Sequence, residues 1–115
     1  MKLFNFGKEP APTAIYKYTQ TENYRNFKRI KLSSYGYKTA EKNIKELANK
    51  DLTDATIEIK IFDDKTPRAE VYIMRRQVGT IWPRSFDKYS SMKRGGIKGA
   101  RIEIRDGDAY LFYKI

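Results

Sequence analysis

Thr39-Ala-Glu-Lys-Asn-Ile-Lys-Glu-Leu-Ala-Asn-Lys-Asp-Leu-Thr-Asp-Ala-Thr-Ile-Glu-Ile-Lys-Ile-Phe62 carries two hydrophobic periods in succession, and the switch between them decides the fold class. In the first half Ala40, Ile44, Leu47 and Ala48 fall at i, i+4, i+7 and i+8, one apolar stripe on a helix. Thr39 is placed to cap that helix and Glu41 to favour its first turn. Glu41 with Lys45 and Lys42 with Glu46 form i, i+4 pairs on the wet side, so the helix is expected to end near residues 49–51. In the second half the period becomes two. Ile57, Ile59 and Ile61 point one way while Glu58, Lys60 and Phe62 point the other, which predicts a half-buried strand.

Working outward from this stretch, residues 14–18 and 27–34 read as extended segments separated by a polar run. In the second of them Ile30 and Leu32 alternate with Arg29, Lys31 and Ser33. Residues 1–13, with Gly7, Pro10 and Pro12, read as a flexible leader, and 14–115 as a single domain. Downstream, the turn around Pro67 leads to short strands at 70–74 and 78–82, with Arg75, Arg76 and Gln77 at the tip between them. Pro83 ends the second strand, Ser85 is expected to cap a short helix carrying Phe86, Tyr89 and Met92, and Gly95, Gly96 and Gly99 suggest a mobile basic loop. Asp106-Gly107 between Ile102, Ile104 and residues 109–113 is the signature of a two-residue hairpin turn. With no βαβ repetition, the expectation is an α+β fold: a small OB/SH3-like antiparallel β-barrel with one main helix and one short helix.

The 115 residues lack both Cys and His, which removes disulfides, zinc fingers, thiol nucleophiles and every triad built on imidazole. No cofactor is expected. Neither an apolar run of about 18 residues nor a signal-peptide core is found, so no membrane association is expected and the protein reads as cytoplasmic. Lys and Arg number 24 against 14 Asp and Glu, a formal charge of +10. That excess is uneven, because residues 51–64 are acidic and the blocks on either side are basic. The second block holds Arg75, Arg76, Arg84, Lys88, Lys93, Arg94, Lys98 and Arg101, interleaved with Tyr72, Trp82 and Tyr89. Cations that displace counterions, set among planar rings that offer stacking faces, are what a single-stranded nucleic acid requires. Solvated strand edges guarded by Lys and Arg would produce the same composition.

Three local patterns bear on chemistry. Asp54 with Glu58-Ile59-Lys60 echoes the carboxylates and lysine of metal-dependent nucleases, although only four positions separate the two acids. Gly95-Gly96-Ile97-Lys98-Gly99 lacks the spacing of a phosphate loop. Tyr35-Gly36-Tyr37, just before the helix, would either present two rings to a ligand or staple the helix start, and Trp82 before Pro83 would be either a platform or core.

Taken in order, the segment 30–47, the turn and strand 63–73, the run Gln77-Val78-Gly79-Thr80-Ile81 followed by Pro83-Arg84, and the short helix after it resemble a HIRAN domain across about residues 28–105. The resemblance implies an OB-like barrel that grips single-stranded DNA at a free 3′ end. It would assign stacking to Tyr35 and Tyr37 and backbone contacts to Lys38, Arg84 and Lys88. The family's Asn-Pro-Tyr-Asp segment is replaced here by Asp63-Asp64-Lys65-Thr66-Pro67-Arg68, so strand-end recognition would fall to Asp63 or Asp64 after a shift in the turn. The expected function is a non-enzymatic nucleic-acid-binding module, with single-stranded DNA or DNA ends as partner. Its expected contacts are Tyr35, Tyr37, Lys38, Arg75, Arg76, Trp82, Arg84, Lys88, Lys93 and Arg94. The alternatives are a protein-interaction module of a phage or mobile element and the metal-dependent nuclease.

Overall fold

The three isoleucines of the period-two stretch are fully buried, and the sheet they belong to organises the molecule. The computed structural model describes residues 11–34 and 38–115. Its elements are β1 (Ala14–Thr19), β2 (Lys28–Lys31), α1 (Lys38–Leu47), β3 (Thr56–Phe62), β4 (Arg68–Ile73), β5 (Arg76–Ile81), a 3₁₀ turn (Pro83–Ser85), α2 (Tyr89–Lys93), β6 (Gly99–Arg105) and β7 (Asp108–Lys114). Two antiparallel sheets result, one in the order β1-β3-β4-β5 and one in the order β2-β7-β6. Ile57, Ile59, Ile61, Val71, Ile73 and Ile81 from the first sheet meet Ile102 and Leu111 from the second, with Ile44 and Leu47 of α1 closing the core. Burying each of these side chains contributes about 1.5–3 kcal/mol.

Among the described residues the sheets are joined at two seams. At one, Ser33 and Thr80 exchange backbone hydrogen bonds, each 2.9 Å. At the other, Thr21 N–H donates to the Ala100 carbonyl at 3.1 Å. There the buried Gln20 amide imitates a peptide, donating to the Ile102 carbonyl and accepting from the Ile102 N–H, both at 2.8 Å. Satisfying those backbone groups with a side chain avoids the cost of burying them unpaired. A single bridge and one amide are not ladders, so the α+β class with two antiparallel sheets is observed while the expected closed barrel is not found.

Several boundaries differ from expectation for local reasons. α1 begins at Lys38, which puts Thr39 inside the first turn, and the capping position falls at 37, outside the described residues. Ser85 closes the 3₁₀ turn that Pro83 starts, and α2 begins only at Tyr89, after Lys88, with no side-chain cap. The glycine segment is not loose. Gly95, at φ 81°, and Gly96 donate to the carbonyls of Met92 and Ser91 and thereby terminate α2. The β4–β5 tip is the two-residue turn Met74-Arg75, one position earlier than expected. Of the leader, residues 1–10 lie outside the described part, and Thr13 N–H already donates to the Ile61 carbonyl at 2.7 Å. Among the described residues no helix is long and apolar enough to cross a membrane.

Candidate nucleic-acid interface

β4 and β5 pair from Ala69 opposite Ile81 to Ile73 opposite Arg76, with a bulge at Val78 between Val71 and Tyr72, and that ladder separates the expected contact residues into two groups. Arg75 and Arg76 sit at the hairpin tip, whereas Trp82 and Arg84 follow the far end of β5. Because the bulge shortens β5 against its partner, about five strand rises, roughly 16 Å, separate Arg76 from Trp82. Arg76 is also bound at 2.7 Å to Glu46 near the end of α1, while Asn43 of the same helix donates to the Gln77 carbonyl at 2.9 Å. The helix therefore runs back along β5, its first residue, the exposed Lys38, toward the Trp82 end.

Along the hairpin, from Gln77 beside Arg76 to Trp82, an open groove of about 600 Å³ is lined also by Asp64, Lys65, Thr66 and Arg68, with Glu70 and Thr80 between, at its floor. Pairing alternation explains the floor, since Glu70 and Thr80 are opposite each other on the outward side while Ala69 and Ile81 face the core. Trp82 is half-buried, so the structure leaves part of the ring at the surface. Arg68 is fully engaged. It lies 4.3 Å from the centre of the Phe62 ring and bonds Glu70 at 2.9 Å, Asp64 at 3.1 Å and the Thr66 carbonyl at 2.8 Å. Phe62, expected on the polar side of β3, is buried beneath that guanidinium. The Asp64 carboxyl is held below its ordinary range, first by the Thr66 N–H that closes the turn onto it and then by Arg68.

Asp63 is likewise taken, by Lys93 at 2.9 Å. The exposed Lys65, Arg84, Lys88 and Arg94 carry no ion pair among the described residues. Tyr89, the first residue of α2, is 8% exposed, and its hydroxyl has no hydrogen-bond partner among the described residues. Burial, and then the Asp63 charge, raises its pKa. Tyr35 and Tyr37 lie outside the described residues.

Asp54 and Glu58 do border one hollow, together with Lys17, but Glu58 pairs with Lys17 at 3.6 Å and Lys60 is drawn over the Tyr72 ring at 4.2 Å. Among the described residues no three acidic side chains are grouped so as to hold a metal ion.

The second sheet carries a cationic, ring-bearing face that the sequence reading did not single out. Arg29 stands 5.2 Å from the Tyr110 ring centre, Arg101 4.3 Å from that of Tyr24 and Arg105 5.6 Å from that of Phe112. Tyr24 meets Phe112 edge-on at 5.3 Å. The signal was present in the alternation of Arg29 and Lys31 with Ile30 and Leu32, but partners some 80 residues apart cannot be paired from local pattern alone. Comparison with protein-family models, curated proteins and solved structures gave no match.

Proposed function

We propose that the chain is a non-enzymatic module that binds single-stranded DNA in the groove over β4 and β5. The observation that carries this reading is the half-buried Trp82 at the groove edge, with Lys65 lining the same groove and Arg84 two residues beyond the ring. A flat ring beside cations that no acid neutralises suits a base stacked above a phosphate. The HIRAN resemblance supports the same end of the molecule and adds Tyr35, Tyr37, Lys38 and Lys88 as contacts. In that reading the two seams serve as the closures of an OB-like barrel. Asp63 and Asp64 are each bound to a cation, so general affinity for single strands is favoured over recognition of a strand end.

The chain has one tryptophan, which makes its fluorescence a direct report on the groove. Titration of single-stranded and duplex oligonucleotides at two salt concentrations is expected to quench it selectively with single strands. If six phosphates are engaged, log K falls against log salt with a slope of about −4. No binding of either DNA at low salt removes the proposal.

The protein-interaction reading keeps one observation of its own, the 44% exposed Met74 at the hairpin tip. It predicts a protein complex whose affinity does not change with salt and is lost in Met74→Ser.

A further inference from the structure

The outward side chains of the groove continue across the Ser33–Thr80 seam onto the second sheet. Thr80, buried at the groove floor, is paired with Ser33, and Lys31 and Arg29 follow at period two on the same side of the chain, while Leu32 between Ser33 and Lys31 is buried. Register then sets Lys31 opposite Tyr110, and Arg29 opposite Phe112. A hollow of about 490 Å³ lies beside the seam, lined by Lys31, Ser33 and Ser34, with Glu41 and Asp108 as its acidic members. From Ser33 to Arg29 the path is roughly 13 Å at the strand rise.

This continuation is positively charged. Arg29, Lys31, Arg101 and Arg105 lie on its outer face, against Glu103 and Asp108. Arg101 and Arg105 are committed to Glu103, and the exposed Lys31 is held at 3.4 Å by the half-buried Asp108, a contact of small net value that a phosphate can replace. Arg29 has no acidic partner among the described residues; its guanidinium lies over the half-buried Tyr110 ring, leaving its other face toward solvent.

We propose that single-stranded DNA seated in the groove extends along β2 onto the outer face of the second sheet, where Arg29 and Lys31 receive its backbone and the Arg29–Tyr110 stack receives a base. This rests on the groove reading above. Guanidinium planes and aromatic rings both accept stacked bases, and single-strand sites on OB folds span about 4–16 nucleotides.

The test compares labelled oligothymidylates of 6 and 16 nucleotides with wild type and the double variant R29A/K31A, whose substitutions are at exposed positions. The 6-mer is expected to bind both proteins equally and quench Trp82 equally. The 16-mer is expected to bind the variant at least about ten-fold more weakly than wild type, and its salt slope to lose about 1.4 in magnitude for two phosphates. Equal 16-mer affinity and slope in the two proteins overturns the extension while leaving the groove intact. A 6-mer that neither binds nor changes Trp82 emission overturns the groove, and the extension with it. Matching circular dichroism and thermal melting of the two proteins establishes that the variant is folded.

Discussion

Each sheet uses a glutamate to organise its outer face, and the two differ in how much they gather. On the four-stranded sheet Glu70 accepts from Arg68 at 2.9 Å and from the Tyr72 hydroxyl at 2.8 Å. On the three-stranded sheet Glu103 accepts from Arg101 at 2.8 Å, from Arg105 and from the Tyr24 hydroxyl, with its side chain 13% exposed. The hairpins differ in the opposite sense. The second sheet turns at Asp106-Gly107, with φ 52° and 83°, residues suited to two positive φ values in a row. The first turns at Met74-Arg75, with φ 52° and 64°, where neither side chain favours that region. The three-stranded sheet thus has the more relaxed turn and the more tightly tied face. The four-stranded sheet accepts strain at its tip and has the Trp82 groove on its outer face.

The largest expected effect breaks the first half of this comparison. Glu103→Ala should cost about 2–3 kcal/mol in urea unfolding and Glu70→Ala about 1–2 kcal/mol, because hydrogen bonds to a charged group are worth more than neutral ones and partial exposure discounts both. Equal losses would mean that the two faces are not organised differently. Next, Trp82→Ala should weaken single-strand binding by about 2 kcal/mol, roughly 30-fold, with little change in melting temperature. Unchanged affinity would leave the groove without a stacking role.

Replacing Met74-Arg75 by Asn-Gly should stabilise the fold by about 1 kcal/mol by relieving left-handed backbone at two side-chain-bearing residues. A destabilised variant would show that the tip's side chains matter more than its backbone.

The fourth test concerns pH. Burial pushes the Glu103 carboxyl up, but hydrogen bonds from Arg101, Tyr24 and Arg105 outweigh it and leave the pKa lowered. A pKa lower in the folded than in the unfolded state stabilises the fold above the ordinary glutamate range, near pH 4.3, and that contribution is lost as pH falls through the folded value. The stability difference between wild type and Glu103→Gln should therefore be full at pH 7 and shrink in acid; a difference independent of pH contradicts the assignment. The smallest effect is expected at Arg75, about 20 Å along the strand from Trp82, where Arg75→Ala should change single-strand affinity less than two-fold.

The extent to which the sequence was legible follows from how far each interaction reaches along the chain. α1, the alternation of β3 and the Asp106-Gly107 hairpin were readable because stripe, period and turn chemistry are local. The Ser85 cap was misplaced because Pro83 imposes a 3₁₀ turn, which delays the helix to Tyr89. Composition alone suggests a mobile Gly95–Gly96 segment, because it does not reveal that these N–H groups close α2. Trp82, the cations after it and the placing of Arg75 and Arg76 at the hairpin tip could all be read from the sequence; that Glu46 of α1 neutralises Arg76 follows only from the fold.

The order of amino acids by itself determined the α+β class, the identity of most core residues and a surplus of positive charge, since burial preference and periodicity act over a few residues. The tertiary structure decided which cations were neutralised and which rings they covered. Arg68 over Phe62 and Arg101 over Tyr24 are matters of register between strands, and whether a charge is free depends on what the folded chain brings within a few ångströms of it.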